Sequence, residues 1–343
     1  MLKVYTLNEA SKWDEVVLSM PRHDVYWLSG YVRAFEKHGD GEPLLFYCEN
    51  GGARGINVVM KRDVARDAHF QGRIPAGTFY DFSTPYGYGG WLSEGEDVSG
   101  LLREYEAWTK EQGIVSEFVR FHPMLKNHEG LEDLYAVRQL GEVVHMELES
   151  PEAIWQNLSS KNRNMIRKAQ KNGVSVRIDD SPEAYRRFQE IYNETMRRDE
   201  AEAYYFFGDA FYDSVQKDLT GRAHLFCAQK DGQTIAASIM LKEGPYMNYH
   251  LSGSVREFGA LAPTNLLLYE AACWGCENGC RTLYLGGGVG SGEDSLFKFK
   301  RAFYRGELNH FYIGSRILDQ EKYDHLCSLR ELAARSYFPA YRA

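Results

Sequence analysis

A chain of 343 residues is long enough to build two domains with separate cores. Its 48 acidic against 40 basic side chains, a formal net charge of −8, exclude a broad nucleic-acid footprint, so any RNA contact must be local. No apolar run approaches the length that spans a bilayer, and the opening Met1-Leu2-Lys3-Val4-Tyr5-Thr6 lacks a signal-peptide core, so a cytoplasmic protein is the expectation.

In chain order, apolar spacing predicts helices over residues 9–20, stopped by Pro21, and 28–38, stopped by Gly39-Asp40-Gly41. Residues 44–48 and 56–60 read as strands flanking an Asn50-Gly51-Gly52 hairpin turn. The run 79–91 crowds aromatics with Pro85 and three glycines, which argues for a loop, because Gly weakens strands and Pro interrupts them. The rings of Tyr86 and Tyr88 suit a wall beside a ligand; a tight turn pinned by aromatic packing would carry the same letters. Asp81, among those rings, is a candidate general base, since desolvation would raise its pKa. A helix over 97–112 and strands over 115–121 and 143–148 follow, and the first domain is expected to span 1–150.

From Pro151 the coarse order repeats, and a second domain is expected over 151–319. A strand at 174–178 precedes helices at 182–198 and 211–219. A hairpin of 224–229 and 234–241 turns at Asp231-Gly232. A helix over 265–278 and a strand over 282–285 come next. Cys273, Cys276 and Cys280 have ligand-like spacing but no fourth ligand, so core packing is the reading and no metal site is expected. HExxH, GxSxG and Walker A sequences are missing, which leaves zinc protease, α/β-hydrolase and P-loop NTPase chemistry unsupported.

The chemistry concentrates in the second half. Lys161, Arg163, Arg167, Lys168 and Lys171 occupy a stretch without an acid, with Arg163, Arg167 and Lys171 four apart on one helical face. That is either a solvated face or an anion site for the phosphates of a nucleotide-linked substrate or RNA. Tyr249 and His250 lie on a strand, so one faces the core and the other the opposite side, and His250 is a second candidate for proton transfer. Lys300 sits between Phe299 and Phe303, where an ammonium kept from bulk water suits an acyl-transfer oxyanion. Arg256-x-x-Gly259-x-Leu261 before a helix half matches a pyrophosphate loop, which keeps coenzyme A open as a donor carrier.

The ordered set Trp155-x-x-Leu158, Lys161-x-Arg163-x-x-Ile166-Arg167-Lys168-Ala169, Thr195-x-x-Arg198, Tyr249-His250-Leu-Ser-Gly253, Leu285-Gly286-Gly287-Gly288 and Phe299-Lys300-x-x-Phe303 resembles the FemAB-type (FemX-like) aminoacyltransferases. These are peptidoglycan bridge-forming enzymes of the acetyltransferase-like (GNAT) superfamily. The resemblance implies an α/β protein of mixed sheets, with two tandem acetyltransferase-like domains, a cleft between them, and a C-terminal helix near 320–337 that returns residues 320–343 to the first domain. It implies transfer of an aminoacyl group from aminoacyl-tRNA, the co-substrate, to an amine of a cell-wall peptide precursor. Lys300 would then hold the oxyanion, and Lys161, Arg163, Arg167 and Arg198 would hold anionic groups. Tyr86, Tyr88, Tyr249, Phe299 and Phe303 would line the substrate. No further cofactor is expected, and peripheral membrane association follows only if the acceptor is lipid-linked. The alternatives are an acyl-CoA-dependent N-acyltransferase and a non-catalytic peptide- or glycan-binding module.

Overall fold

The structure is a computed structural model that describes residues 1–95, 98–330 and 337–343. The chain divides into two compact units, Met1–Leu140 with Phe311–Ala343, and Gly141–His310. The first divide falls about ten residues before the Pro151 expected from the sequence, because the strand ahead of it already pairs within the second unit.

In the first unit, β1 (Leu2–Tyr5) leads to α1 (Ala10–Leu18) and α2 (Ser29–His38), followed by the hairpin β2 (Glu42–Asn50) and β3 (Ala53–Asp63). β4 (Tyr80–Ser83), β5 (Leu92–Glu94), α3 (Val98–Glu111) and β6 (Ile114–Arg120) follow. Position 97, expected to open α3, lies outside the described residues. β7 (Ala136–Glu147) enters the second unit. There follow α4 (Pro151–Asn157), α5 (Ser160–Lys171), β8 (Ser175–Ile178), α6 (Pro182–Arg198), α7 (Asp209–Asp218), β9 (Ala223–Lys230), β10 (Gln233–Glu243) and β11 (Tyr246–Ser254). α8 (Pro263–Glu277), β12 (Thr282–Gly286) and α9 (Ser295–Arg301) complete it, and β13 (Asn309–Ile317) and α10 (Gln320–Ser328) return to the first. The helix expected to run to 337 stops at Ser328; positions 331–336 lie outside the described residues.

Each unit repeats one order: a strand, two helices, three antiparallel strands, a helix, and a strand parallel to the third. The first unit's sheet runs β1-β2-β3-β4-β6-β13, with β5 also on β3, and the second unit's runs β7-β12-β11-β10-β9-β8. β4 corrects the expectation of a loop over 79–91. Only four residues of that run are strand, and they are ordered by pairing with β3 and β6 rather than by propensity. The cores form where α3 covers β2, β3 and β6 around Phe46, Phe82 and Tyr105, and where α8 covers the second sheet around Met240, Leu267 and Leu283. Among the described residues no helix is long and apolar enough to cross a membrane.

Candidate active site

The second unit's central parallel pair comes apart. β11 and β12 share register at only three positions, Tyr246 with Thr282, Met247 with Leu283 and Asn248 with Tyr284, after which β11 continues to Ser254 and β12 ends at Gly286. Both strands change register there against their outer neighbours. β10 pairs Met240 with Tyr249 and Ile239 with Leu251, leaving His250 as the extra residue, and β7 skips Leu285 between Tyr284 and Gly286. A bulge bends its strand and increases local twist. Two bulges facing one parallel pair therefore open a gap at its carboxyl end, where open α/β sheets commonly bind ligands.

The end of β12 carries the glycine run into α9, and α9 brings Lys300 back beneath it. Asp294 caps α9, accepting from Phe297 N at 2.8 Å, and the same carboxylate accepts from Val289 N at 3.2 Å. The hydrogen bond from Phe297 N leads in holding the Asp294 carboxyl below its usual range. Lys300 is 8% exposed and donates from Nζ to Gly287 O at 2.7 Å. Gly286 has φ +83°, and a Cβ there would lie 3.4 Å from that amine, so glycine suits both the backbone and the ammonium. Burial brings the Lys300 pKa down to about 8, with the nearby Asp294 charge opposing the shift. An ammonium has three donors, and among the described residues Gly287 O is the acceptor recorded for one of them. Phe299 and Phe303 pack edge-to-face at 5.4 Å against the core, which sets the helix bearing Lys300 on a rigid base.

α6 fixes the far end of β11. Thr195 Oγ1 accepts from Ser254 N at 3.1 Å, and Arg198 Nη1 donates to Ser254 O at 3.1 Å while its Nε reaches Asp199. Arg198 is thus partly engaged by backbone. Gly253 is the hinge of this contact, since a Cβ there would stand 2.9 Å from Tyr192 N and Cα. Tyr249 packs partly buried against the core, and desolvation first of all raises its hydroxyl pKa. His250 is half-buried, and desolvation pushes its imidazole down to about 3, which keeps the ring neutral and makes it a weak proton acceptor.

The basic helix α5 starts beside α9. Ser159 N donates to Ala302 O at 2.9 Å, and buried Asn162 reaches Ala302 O at 3.3 Å and accepts from Asn265 Nδ2 at 2.8 Å. Sequence reasoning missed Asn162, whose only signal was its place one turn after a Ser cap. Arg163, expected to hold an anion, donates from Nη1 to Leu158 O at 2.6 Å, which closes the end of α4. Arg167 lies over the Trp155 ring at 5.0 Å. Lys161, Lys168 and Lys171 remain exposed.

In the first unit, Asp81 reverses its expectation. Burial alone would raise its pKa, but Arg62 and Arg342 outweigh burial and hold the carboxyl below the usual range. Arg62 Nε lies at 2.7 Å, Arg342 Nε at 2.5 Å and Tyr341 Oη at 3.0 Å, so this carboxylate is a tied ion-pair centre and not a base. The Tyr86 carbonyl accepts from the Tyr31 hydroxyl and its ring stacks on Phe35 at 5.7 Å; Tyr88 packs against Tyr26, His122 and Phe311. Glycines 87 and 90 turn this segment with positive φ among those rings. Cys280 is buried and Cys273 and Cys276 are half-buried, all as free thiols, and among the described residues no group of three His, Cys, Asp or Glu side chains is placed for a metal.

Residues 157–301 match the family profile described as acetyltransferase (GNAT) domain. No curated protein sequence matches the chain. Among solved structures, FemX is similar over 95% of this chain and 99% of its own, at 14% identity and a TM-score of 0.70. L-PGS from Bacillus licheniformis is similar over 90% of this chain and 92% of its own, at 14% identity and a TM-score of 0.57. The C-terminal domain of a candidate lysylphosphatidylglycerol synthetase from Agrobacterium fabrum has the same coverage and identity, with a TM-score of 0.56. At such identities the likeness is one of fold. An acetyltransferase (GNAT) domain is thus matched over part of the second half, and the fold over nearly the whole length of the chain is similar to that of FemX.

Proposed function

We propose that the chain moves an aminoacyl group from aminoacyl-tRNA onto an amine of a peptidoglycan-precursor peptide, in the gap between β11 and β12. The observation that carries this reading is the Lys300 ammonium, buried at the end of β12 with one donor on Gly287 O and, among the described residues, no carboxylate bonded to it. The ester of a charged tRNA is already activated, so the protein need only bring the amine to the carbonyl and stabilise the oxyanion. The amine nitrogen forms the new bond to the carbonyl carbon, the carbonyl oxygen carries the charge beside Lys300, and the carbon–oxygen bond to the ribose then breaks. The proton released by the amine ends on the departing ribose oxygen, directly or through water. Exposed Lys161, Lys168 and Lys171, with Arg167 and Arg198 at the two flanks, supply local cations for phosphates, consistent with a small RNA footprint on an acidic chain. The charged tRNA pool places the reaction in the cytoplasm, with peripheral membrane contact where the acceptor is lipid-linked. Support for an aminoacyl donor also comes from the shared fold of a candidate lysylphosphatidylglycerol synthetase, whose name describes a lysyl-bearing product.

Incubation with a pool of charged tRNAs and muropeptide precursors, read by mass, tests the proposal. One added aminoacyl mass on a precursor amine is expected; its absence with every charged tRNA would overturn the reading. A second reading, acyl-CoA as donor, is favoured by one observation: no side chain caps the start of the 15-residue α8, which follows the Arg256–Leu261 turn. Calorimetric titration with coenzyme A separates the two, since saturable binding favours acyl-CoA and none favours tRNA.

A further inference from the structure

Beneath the proposed reaction lies a residue that touches no substrate in that scheme and yet joins every part of the lysine's setting. Asp294 divides its carboxylate between two elements. One oxygen accepts from Phe297 N at 2.8 Å and starts the helix that bears Lys300; the other accepts from Val289 N at 3.2 Å and fixes the glycine run. That run supplies Gly287 O, the acceptor of the Lys300 amine at 2.7 Å. Gly288 is wrapped so closely around Asp294 that a Cβ there would overlap its carboxylate and Gly292 O. Helix, loop and ammonium therefore share one clamp.

We propose that Asp294 is a positioning residue, which aims the Lys300 amine into the strand gap and keeps it protonated at working pH. This rests on the acyl-transfer reading for its purpose, though not for its geometry. Charged or titratable groups on its own helix and on the paired strands that lead into its loop include Lys298 and Arg301 on α9, Tyr284 on β12, and Glu142 and His145 on β7. Asp294 is the one whose charge acts on Lys300 in favour of the ammonium. His145 is buried and neutral, its pKa lowered by desolvation, and so offers no opposing charge. The loop tie and the charge are separable. Asp294→Ser keeps a capping oxygen but removes the charge, whereas Val289→Pro deletes only the donor of the loop bond at an exposed position that opens a short helical turn.

The test follows the Lys300 side chain by carbon NMR in full-length protein labelled on lysine, with Lys300→Arg assigning the signal. The wild-type midpoint is expected near pH 8, moving down by about 0.5 in Asp294→Ser and holding in Val289→Pro. The alkaline limb of the pH–rate profile should shift with it in Asp294→Ser, lowering kcat more than raising KM. Val289→Pro should lower kcat without moving that limb. An unchanged midpoint in Asp294→Ser, or a wild-type midpoint near 10.5, would overturn the role. A midpoint that moves in a protein turning over no donor would leave the clamp standing and remove the acyl-transfer reading instead.

Discussion

The two units place the same parallel strand pair to opposite ends. In the first, β4 and β6 pair along all of β4, from Tyr80 with Ile114, across one register shift after Tyr80, to Ser83 with Phe118, and a further bridge joins Gly89 to Phe121. In the second, β11 and β12 part after three pairs, with a bulge on each side. The charges follow the strands. At the closed pair Asp81 is fully buried and saturated by Arg62, Arg342 and Tyr341; at the open pair Lys300 is buried with a carbonyl and, among the described residues, no bonded acid. A buried charge with its counterions in place serves the fold, because removing one partner strands the rest. A buried charge held short of partners is kept at a cost in stability, which is the usual mark of a working group.

That contrast can be broken at its strongest point first. Asp81→Asn leaves two guanidiniums facing an amide, and should cost about 3–5 kcal/mol, measured as a fall in the urea midpoint. Its carboxyl titrates lower in the fold than in the unfolded chain, so its contribution is present above the ordinary value of 3.8 and is lost as pH falls through the folded value.

Lys300→Met should do the reverse: turnover falls by about 10²–10³-fold, while stability at pH 7 rises by about 1–3 kcal/mol, less one lost carbonyl hydrogen bond. Lys300 binds its proton less tightly in the fold, about 8 against 10.5, so between those values the unfolded chain carries the extra proton and wild-type stability climbs with pH. The advantage of the Met variant should accordingly fade toward pH 10.5 in thermal melts. Wild-type turnover should fall above about pH 8 as the ammonium is lost.

Gly253→Ala sharpens the comparison at the open strand, since its methyl would press on the Tyr192 backbone and cost about 1–3 kcal/mol by denaturant melt. Arg167→Ala should be the mildest, about 0.5–1 kcal/mol from the lost contact over Trp155. A larger loss there would give α5 a structural weight that its exposure does not suggest.

Local chemistry was legible in the letters. α6 occupies the expected span, 182–198, because Ser181 caps it and Pro182 occupies its first turn. The hairpins at Asn50-Gly51-Gly52 and Asp231-Gly232 follow from turn chemistry in the same way. β4 and β13 were not legible, since each is ordered by neighbours distant in sequence rather than by its own residues. The site divides along the same line. The aromatic setting of Lys300 was visible in Phe299 and Phe303, but the partners of Asp81 and Arg163 were not. An ion pair to a residue 261 positions away and a guanidinium turned onto the end of the preceding helix leave no local signature.

The distance from Asp81 to Arg342 also sets an order of events during synthesis. Everything the second unit needs leaves the ribosome before the residues that complete the first, namely β13 beside β6 and the Tyr341-Arg342 pair beneath β4. The later half of the chain can therefore finish folding while the earlier half waits with an edge strand and a carboxylate uncovered, and chaperone capture during translation should concentrate on that waiting half.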